Sequence, residues 1–261
     1  MKPGTALLFL LLALPAQEAG STLAWAEETM KVAYLERPPY YWTQNGQPKG
    51  FLLELTQHIF KLAGIDAVYM PVPPNRIISE LRTNTSPICS IGWFKNHERE
   101  SFARFSLPIY RDRPLVVLTT KDRAEYIRQY DRLEDIFRDT SLVLAIMDSF
   151  SLGEELDQLQ KMILPRTLTI STTQSVLPRL IQEGRAAYML VAPEEVPNLL
   201  RSANVDPELF VKLTMRDIPP GNLRHLIFNA GMPDDSLKSV NAAIMTLTDQ
   251  DALLDKDAHV P

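Results

Sequence analysis

From Lys31 onward the chain alternates short β-rich runs with amphipathic stretches at helical spacing, and about halfway along the alternation starts again. This pattern constrains the fold most, because strands alternating with helices build sheets that carry helices on their faces. The spacing predicts strands over Lys31–Leu35, Ala67–Val72, Ile88–Ile91 and Leu115–Thr120. Between them it predicts helices over Phe51–Ala63 and Asn75–Arg82. The first helix should present Phe51, Leu55, Ile59 and Leu62 on one face and stop at Gly64, and Asn75 should cap the second. After the restart, strands are predicted over Leu142–Ile146, Ala187–Val191 and Leu223–Phe228, and helices over Leu152–Met162 and Thr173–Gln182. Pro193 should open a further helix, and Pro233-Asp234-Asp235 the last one, with its acids at the positive end.

The second series reads as a complete α/β unit inserted into the first. The expected division is 27–121 with 218–261 as one lobe and 122–217 as the other. The polar stretch Lys121–Arg132 and the loop Arg216–Asn222 are the expected crossovers. Two crossovers make a hinge, and ligands of such folds sit in the cleft near strand carboxyl ends.

The residues before this series read as an export signal. Lys2 is followed by the apolar run Ala6–Leu14 and by Ala24-Trp25-Ala26, the small-residue spacing of a cleavage site. The apolar core is too short to span a bilayer, which takes about 20 residues. Residues 1–26 are therefore expected to be a cleaved signal peptide and the product periplasmic. No lipobox cysteine follows the apolar run, so no stable membrane anchor is expected, and a single cysteine, Cys89, leaves no internal disulfide. Loss of residues 1–26 takes Lys2 and Glu18, so net charge stays at −5. Without a basic run, that balance argues against nucleic acid or an anionic membrane as partner.

The residues after the first strand resemble a known family. The run Arg37-Pro38-Pro39-Tyr40-Tyr41-Trp42, then Asn45-Gly46, then Gly50-Phe51-Leu52-Leu53-Glu54-Leu55, is similar to the opening of bacterial solute-binding proteins of family 3. Arg99, followed by Phe105-Ser106, Pro108 and Tyr110, matches the family's Arg…Phe-Ser-x-Pro-x-Tyr pattern, and Leu180–Arg185 its Leu-x-x-Gly-Arg segment. The resemblance implies a two-lobed periplasmic-binding-protein fold of type II that closes on a ligand by hinge motion. It also implies a small-molecule ligand, an ABC permease as partner and a monomer. In amino-acid binders the matching arginine holds the ligand's α-carboxylate, a task suited to a planar guanidinium, and that role passes to Arg99.

Two departures stand beside the match. Where the family places small hydroxyl residues before the arginine, this chain has Gly92-Trp93-Phe94-Lys95-Asn96-His97. Trp93 is the expected cleft aromatic, Phe94 the expected core one, and Asn96 a further cleft residue. Where the family often carries an aspartate for the ligand's amino group, this chain has Ala192, with Glu194 and Glu195 following. The ligand is therefore expected to be small and anionic, amino-acid-like or an organic acid.

The remaining expected ligand contacts come from loops at strand ends: Arg37 and Tyr40 after the first strand, Ser149 and Ser151 beside a helix start, and Glu194. The four histidines, His58, His97, His225 and His259, lack metal-ligand spacing, so no metal is expected. No phosphate-binding loop, nucleophile elbow or Cys–His arrangement is present either, so no cofactor and no catalytic residue is expected. The alternative is an enzyme on the same fold, similar to cyclohexadienyl dehydratases, with Glu36 or Glu194 as its acid.

Overall fold

The computed structural model describes residues 29–254 apart from Asn84 and Ser149. The expected signal peptide lies outside the described residues.

Strands and helices alternate as the pattern predicts. The first sheet has the order β4-β1-β5-β12-β6. Its members are β1 (Met30–Tyr34), β4 (Ala67–Pro71), β5 (Ile88–Phe94), β6 (Ala103–Arg111) and β12 (Leu223–Asn229). β1 runs parallel to β4 and β5, whereas β12 runs antiparallel to β5 and β6, because it re-enters the sheet after the inserted unit. A hairpin of β2 (Trp42–Gln44) and β3 (Gln47–Lys49) leads into α1 (Phe51–Ala63).

α1 has the expected bounds, and Gly64 closes it in the left-handed conformation. Its buried stripe, however, is Leu52, Leu53, Thr56, Ile59 and Phe60; Phe51 and Leu62 are exposed. The predicted face was offset by about one residue, and Phe51 instead packs its ring against Tyr40 and Tyr110. Gly50 precedes the helix with φ 123°, and a Cβ there would lie 2.2 Å from the Tyr40 carbonyl oxygen. Only glycine fits that approach. α2 (Pro74–Thr83) starts before Asn75, so Asn75 sits in its first turn and not at its cap.

The second group of strands forms a three-stranded antiparallel sheet, β10-β7-β11, and a parallel pair, β8–β9. These are β7 (Val116–Thr120), β8 (Leu144–Met147), β9 (Thr167–Ile170), β10 (Met189–Val191) and β11 (Phe210–Leu213). A bridge from Leu144 to Tyr188 ties the pair to the sheet. α3 (His97–Glu100) lies between β5 and β6. Around the second group pack α4 (Lys121–Ile127), α5 (Leu133–Arg138), α6 (Glu154–Ile163), α7 (Val176–Gln182) and α8 (Val196–Ala203). α9 (Asp234–Leu247) returns to cover the first sheet, and α10 (Gln250–Leu254) follows.

Two differences bear on the cleft. β7 pairs only with second-group strands, so the chain leaves the first sheet between Arg111 and Val116; Lys121–Ile127, read as a crossover, is helix. Pro193 lies in the turn ahead of α8, and Pro197 takes the first-turn position. The acids Glu194 and Glu195 therefore sit on a turn facing the first lobe.

Buried apolar residues segregate the same way. Two clusters draw only on residues up to Tyr110 or from Leu226 onward, and two others only on Leu115–Ile218. Each lobe thus has its own core, and the space between them is a boundary between two hydrophobic units.

Candidate functional site

β1, β5 and β8 end on the boundary between the lobes, where their following loops meet. A cleft of about 650 Å³ lies there. First-lobe residues Glu36, Arg37, Trp42, Thr43 and the Pro71–Pro74 run line one side; Met147, Phe150, Thr172–Ser175, Glu195 and Leu199 line the other. Beside it is a narrow space of about 30 Å³. Its wall contains Trp93, Phe94, Phe150, Ser151 and three arginines, Arg37, Arg99 and Arg224, and no carboxylate. The two spaces share Leu35, Arg37, Pro74 and Phe150 as a common wall.

Arg99 is buried, held by the short helix α3. Asn96 caps that helix by accepting the Arg99 N–H at 2.9 Å. The Arg99 guanidinium donates to the Phe94 carbonyl at 2.8 Å and lies 4.8 Å from the Trp93 ring centre. Among the described residues no carboxylate stands within ion-pair distance of it. Burial lowers its pKa from the ordinary arginine value, and the charges of Asp157 and Glu98 act the other way. Trp93 packs into the first-lobe core, donates to Ser90 Oγ at 2.7 Å, and also lines the narrow space. Phe94, read as the core member of the pair, is half-buried and lines that space too.

Arg37 crosses the cleft. Its Nε and Nη2 donate to the two carboxylate oxygens of Glu195 at 2.7 and 2.8 Å. Glu195 is 2% exposed and Arg37 16%, so this bidentate pair between the lobes is largely withdrawn from solvent. Burial works against the Arg37 charge, and Glu195 offsets it, so its pKa is held above the ordinary value. The guanidinium also lies 5.0 Å from the Phe150 ring centre.

Tyr40 is fully buried and lines neither space. Its hydroxyl donates across the boundary to Glu194 Oε1 at 3.0 Å. The Tyr110 hydroxyl and the Arg113 backbone N–H reach the same oxygen, each at 3.3 Å. Glu194 Oε2 is buried without a hydrogen-bond partner among the described residues. Tyr40 and Glu194 thus join the lobes and are not part of either lining. Ser151 lines the narrow space, but its hydroxyl donates to Asp157, which also accepts the Leu152 N–H at 2.8 Å. Asn96 is a helix cap and lines neither space. Ser149 lies outside the described residues.

The sequence reading did not single out Arg224 and Asp112. Arg224 on β12 is 1% exposed and donates Nε and Nη2 to Asp112 at 2.5 and 2.8 Å. Nη1 donates to the Gly92 carbonyl at 2.9 Å, and the Tyr40 ring centre lies 4.0 Å from the guanidinium carbon. Nη2 is also 3.9 Å from Glu195. One signal was available: a charge inside the apolar strand Leu223–Phe228 has to find a buried partner.

The family model for bacterial extracellular solute-binding proteins, family 3, matches residues 30–256. The chain belongs to that family. Many solved structures share this architecture, among them the following, each remote in sequence. The Bordetella pertussis BvgS VFT2 domain, as a double mutant, superposes with a TM-score of 0.68 at 19% identity, over 92% of this chain and 97% of that one. The arginine-, lysine-, histidine-binding protein ArtJ of Geobacillus stearothermophilus gives 0.67 at 14% identity, over 84% and 89%. An ancestral amino acid-binding protein described as a precursor of cyclohexadienyl dehydratase gives 0.63 at 22% identity, over 84% and 88%. At these identities the likeness establishes the periplasmic-binding-protein fold. Comparison with curated proteins gave no match. Among the described residues, no helix is long and apolar enough to cross a membrane, and no group of three or more metal-ligating side chains occurs.

Proposed function

We propose that this family-3 protein is a periplasmic receptor that captures a small anionic solute, an amino-acid-like compound or an organic acid, between its lobes. Arg99 is the anion-binding group. The observation that carries this reading is the wall of the narrow space: three arginines and no carboxylate. Arg37 and Arg224 are each bidentate to an acid behind the wall, and Arg99 alone has none within ion-pair distance among the described residues. A buried guanidinium without a counter-charge is costly, and a bound carboxylate removes that cost.

The lobes would be 27–121 with 218–261 and 122–217, except that β7 belongs with the second group. The links near Asp112–Leu115 and Thr214–Asn222 would act as the hinge. Binding drives closure by favouring the closed form over the open one. An export signal at 1–26 would deliver the protein to the periplasm, where it passes solute to an ABC permease or acts as an orphan receptor. A permease and an ATPase encoded beside it would decide between the two.

Binding is favoured over dehydratase chemistry by where the acids sit. Glu36 is exposed at the wide cleft, with the Thr43 N–H and hydroxyl donating to it, and Glu194 lines neither space. The test is titration calorimetry with small carboxylates found by thermal shift. Arg99→Ala should abolish most of the affinity, and unchanged binding would show that the arginine has been assigned the wrong role.

A further inference from the structure

An α-amino acid brings two charges one carbon apart. A site that holds its carboxylate on Arg99 must offer the ammonium an acceptor in the same narrow space. The acids paired with its wall are already engaged, and Glu194, whose Oε2 has no hydrogen-bond partner among the described residues, lines neither space. Both Glu195 oxygens take Arg37, and both Asp112 oxygens take Arg224. Asp157 takes the Ser151 hydroxyl and the Leu152 N–H. Glu194 and Glu36 are absent from the wall of the space. An entering ammonium would meet guanidinium groups whose carboxylate partners are taken, and no free carboxylate on the wall. What the wall does offer beside Arg99 is aromatic surface: Trp93, Phe94 and Phe150.

We infer that the Arg37–Glu195 pair sets the ligand class: it takes up the acid that an ammonium would need, so the site accepts carboxylates with an aromatic or apolar body and rejects the corresponding α-amino acids. This rests on the reading of Arg99 as the carboxylate-binding group. The ligand's body has a place to go beside that pair, since Arg37 and Phe150 also form a wall of the adjoining 650 Å³ cleft. Discrimination of this kind is large when it rests on a buried charge left without a partner.

The test compares 3-phenylpropanoate with L-phenylalanine, which differ only in the amino group, by calorimetry on the purified protein. The wild-type chain should bind 3-phenylpropanoate at least about tenfold more tightly, the equivalent of about 1.4 kcal/mol. Arg37→Gln frees Glu195 while keeping a long polar side chain, and should narrow that ratio or reverse it. Glu195→Gln frees no carboxylate and should keep the preference. L-Phenylalanine binding as tightly as its deaminated analogue, with both lost in Arg99→Ala, would overturn the inference and leave the receptor reading standing. The absence of binding by any carboxylate, or binding indifferent to Arg99→Ala, would remove the receptor reading and this inference with it.

Discussion

Asp112→Asn tests the buried charge pair at the base of the cleft. The substitution keeps the size of the side chain and removes its charge. Arg224 is then left 1% exposed with no counter-ion within hydrogen-bond reach, since Glu195 stands 3.9 Å away and is bound to Arg37. The Gly92 carbonyl and the Tyr40 ring remain, but neither carries a full charge. Removing one partner of a buried pair typically costs about 3–5 kcal/mol, because the other charge stays desolvated. In a chain of this length each kcal/mol moves Tm by about 2–4 °C, so a fall of roughly 6–20 °C is expected. Urea denaturation followed by circular dichroism gives the free energy directly. The companion variant Asp112→Asn/Arg224→Met removes the stranded charge and should recover more than half of the loss. A loss below about 1 kcal/mol, the value of an exposed pair, would refute the reasoning. So would a double variant no more stable than Asp112→Asn alone.

The Arg37–Glu195 bridge should show a coupling energy of about 1–3 kcal/mol in a double-mutant cycle on stability, and a value near zero would mean that the pair does not join the lobes in solution. Gly50→Ala should cost about 2 kcal/mol or more, since the conformation is confined to glycine and the added carbon meets the Tyr40 carbonyl; calorimetric Tm measures it. Burial lowers the His225 pKa below its ordinary value of 6.5, while its Nδ1 lies 2.8 Å from the Ser106 carbonyl. The unfolded chain therefore binds the proton more readily, so this contribution to stability is complete above about pH 6.5 and is lost as pH falls through the lowered value. Tm should thus drop less steeply between pH 7 and 5 in His225→Gln than in the wild type, and parallel profiles would contradict the assignment.

Much of the fold was legible because it follows from local rules. Helix α1 begins at Gly50 and ends at Gly64 where the pattern says, since one backbone position admits only glycine and the other favours it. Its inward face was read one residue off, because apolar side chains occur on both sides of that helix and only the sheet beneath it decides which are covered. β7 was assigned to the wrong side of the crossover for a similar reason. A buried apolar strand looks the same whichever sheet it joins, and the hydrogen-bond ladders to β10 and β11 are contacts between residues far apart in the chain.

The cleft shows the same division. The motif around Arg99 singled out that residue and Trp93 from the sequence alone, whereas Phe94, read as a core residue, lines the narrow space as well. Asn96, in contrast, spends its side chain on capping the helix that carries Arg99, and Tyr40 faces Glu194 across the boundary. By itself the sequence determined the strand–helix order, the family and the place of Arg99, all of which depend on neighbours along the chain. Only the tertiary structure decided which charges neutralise which. Arg37 with Glu195 and Arg224 with Asp112 are separated by 158 and 112 positions, and a buried ion pair is specified by geometry and desolvation, not by spacing.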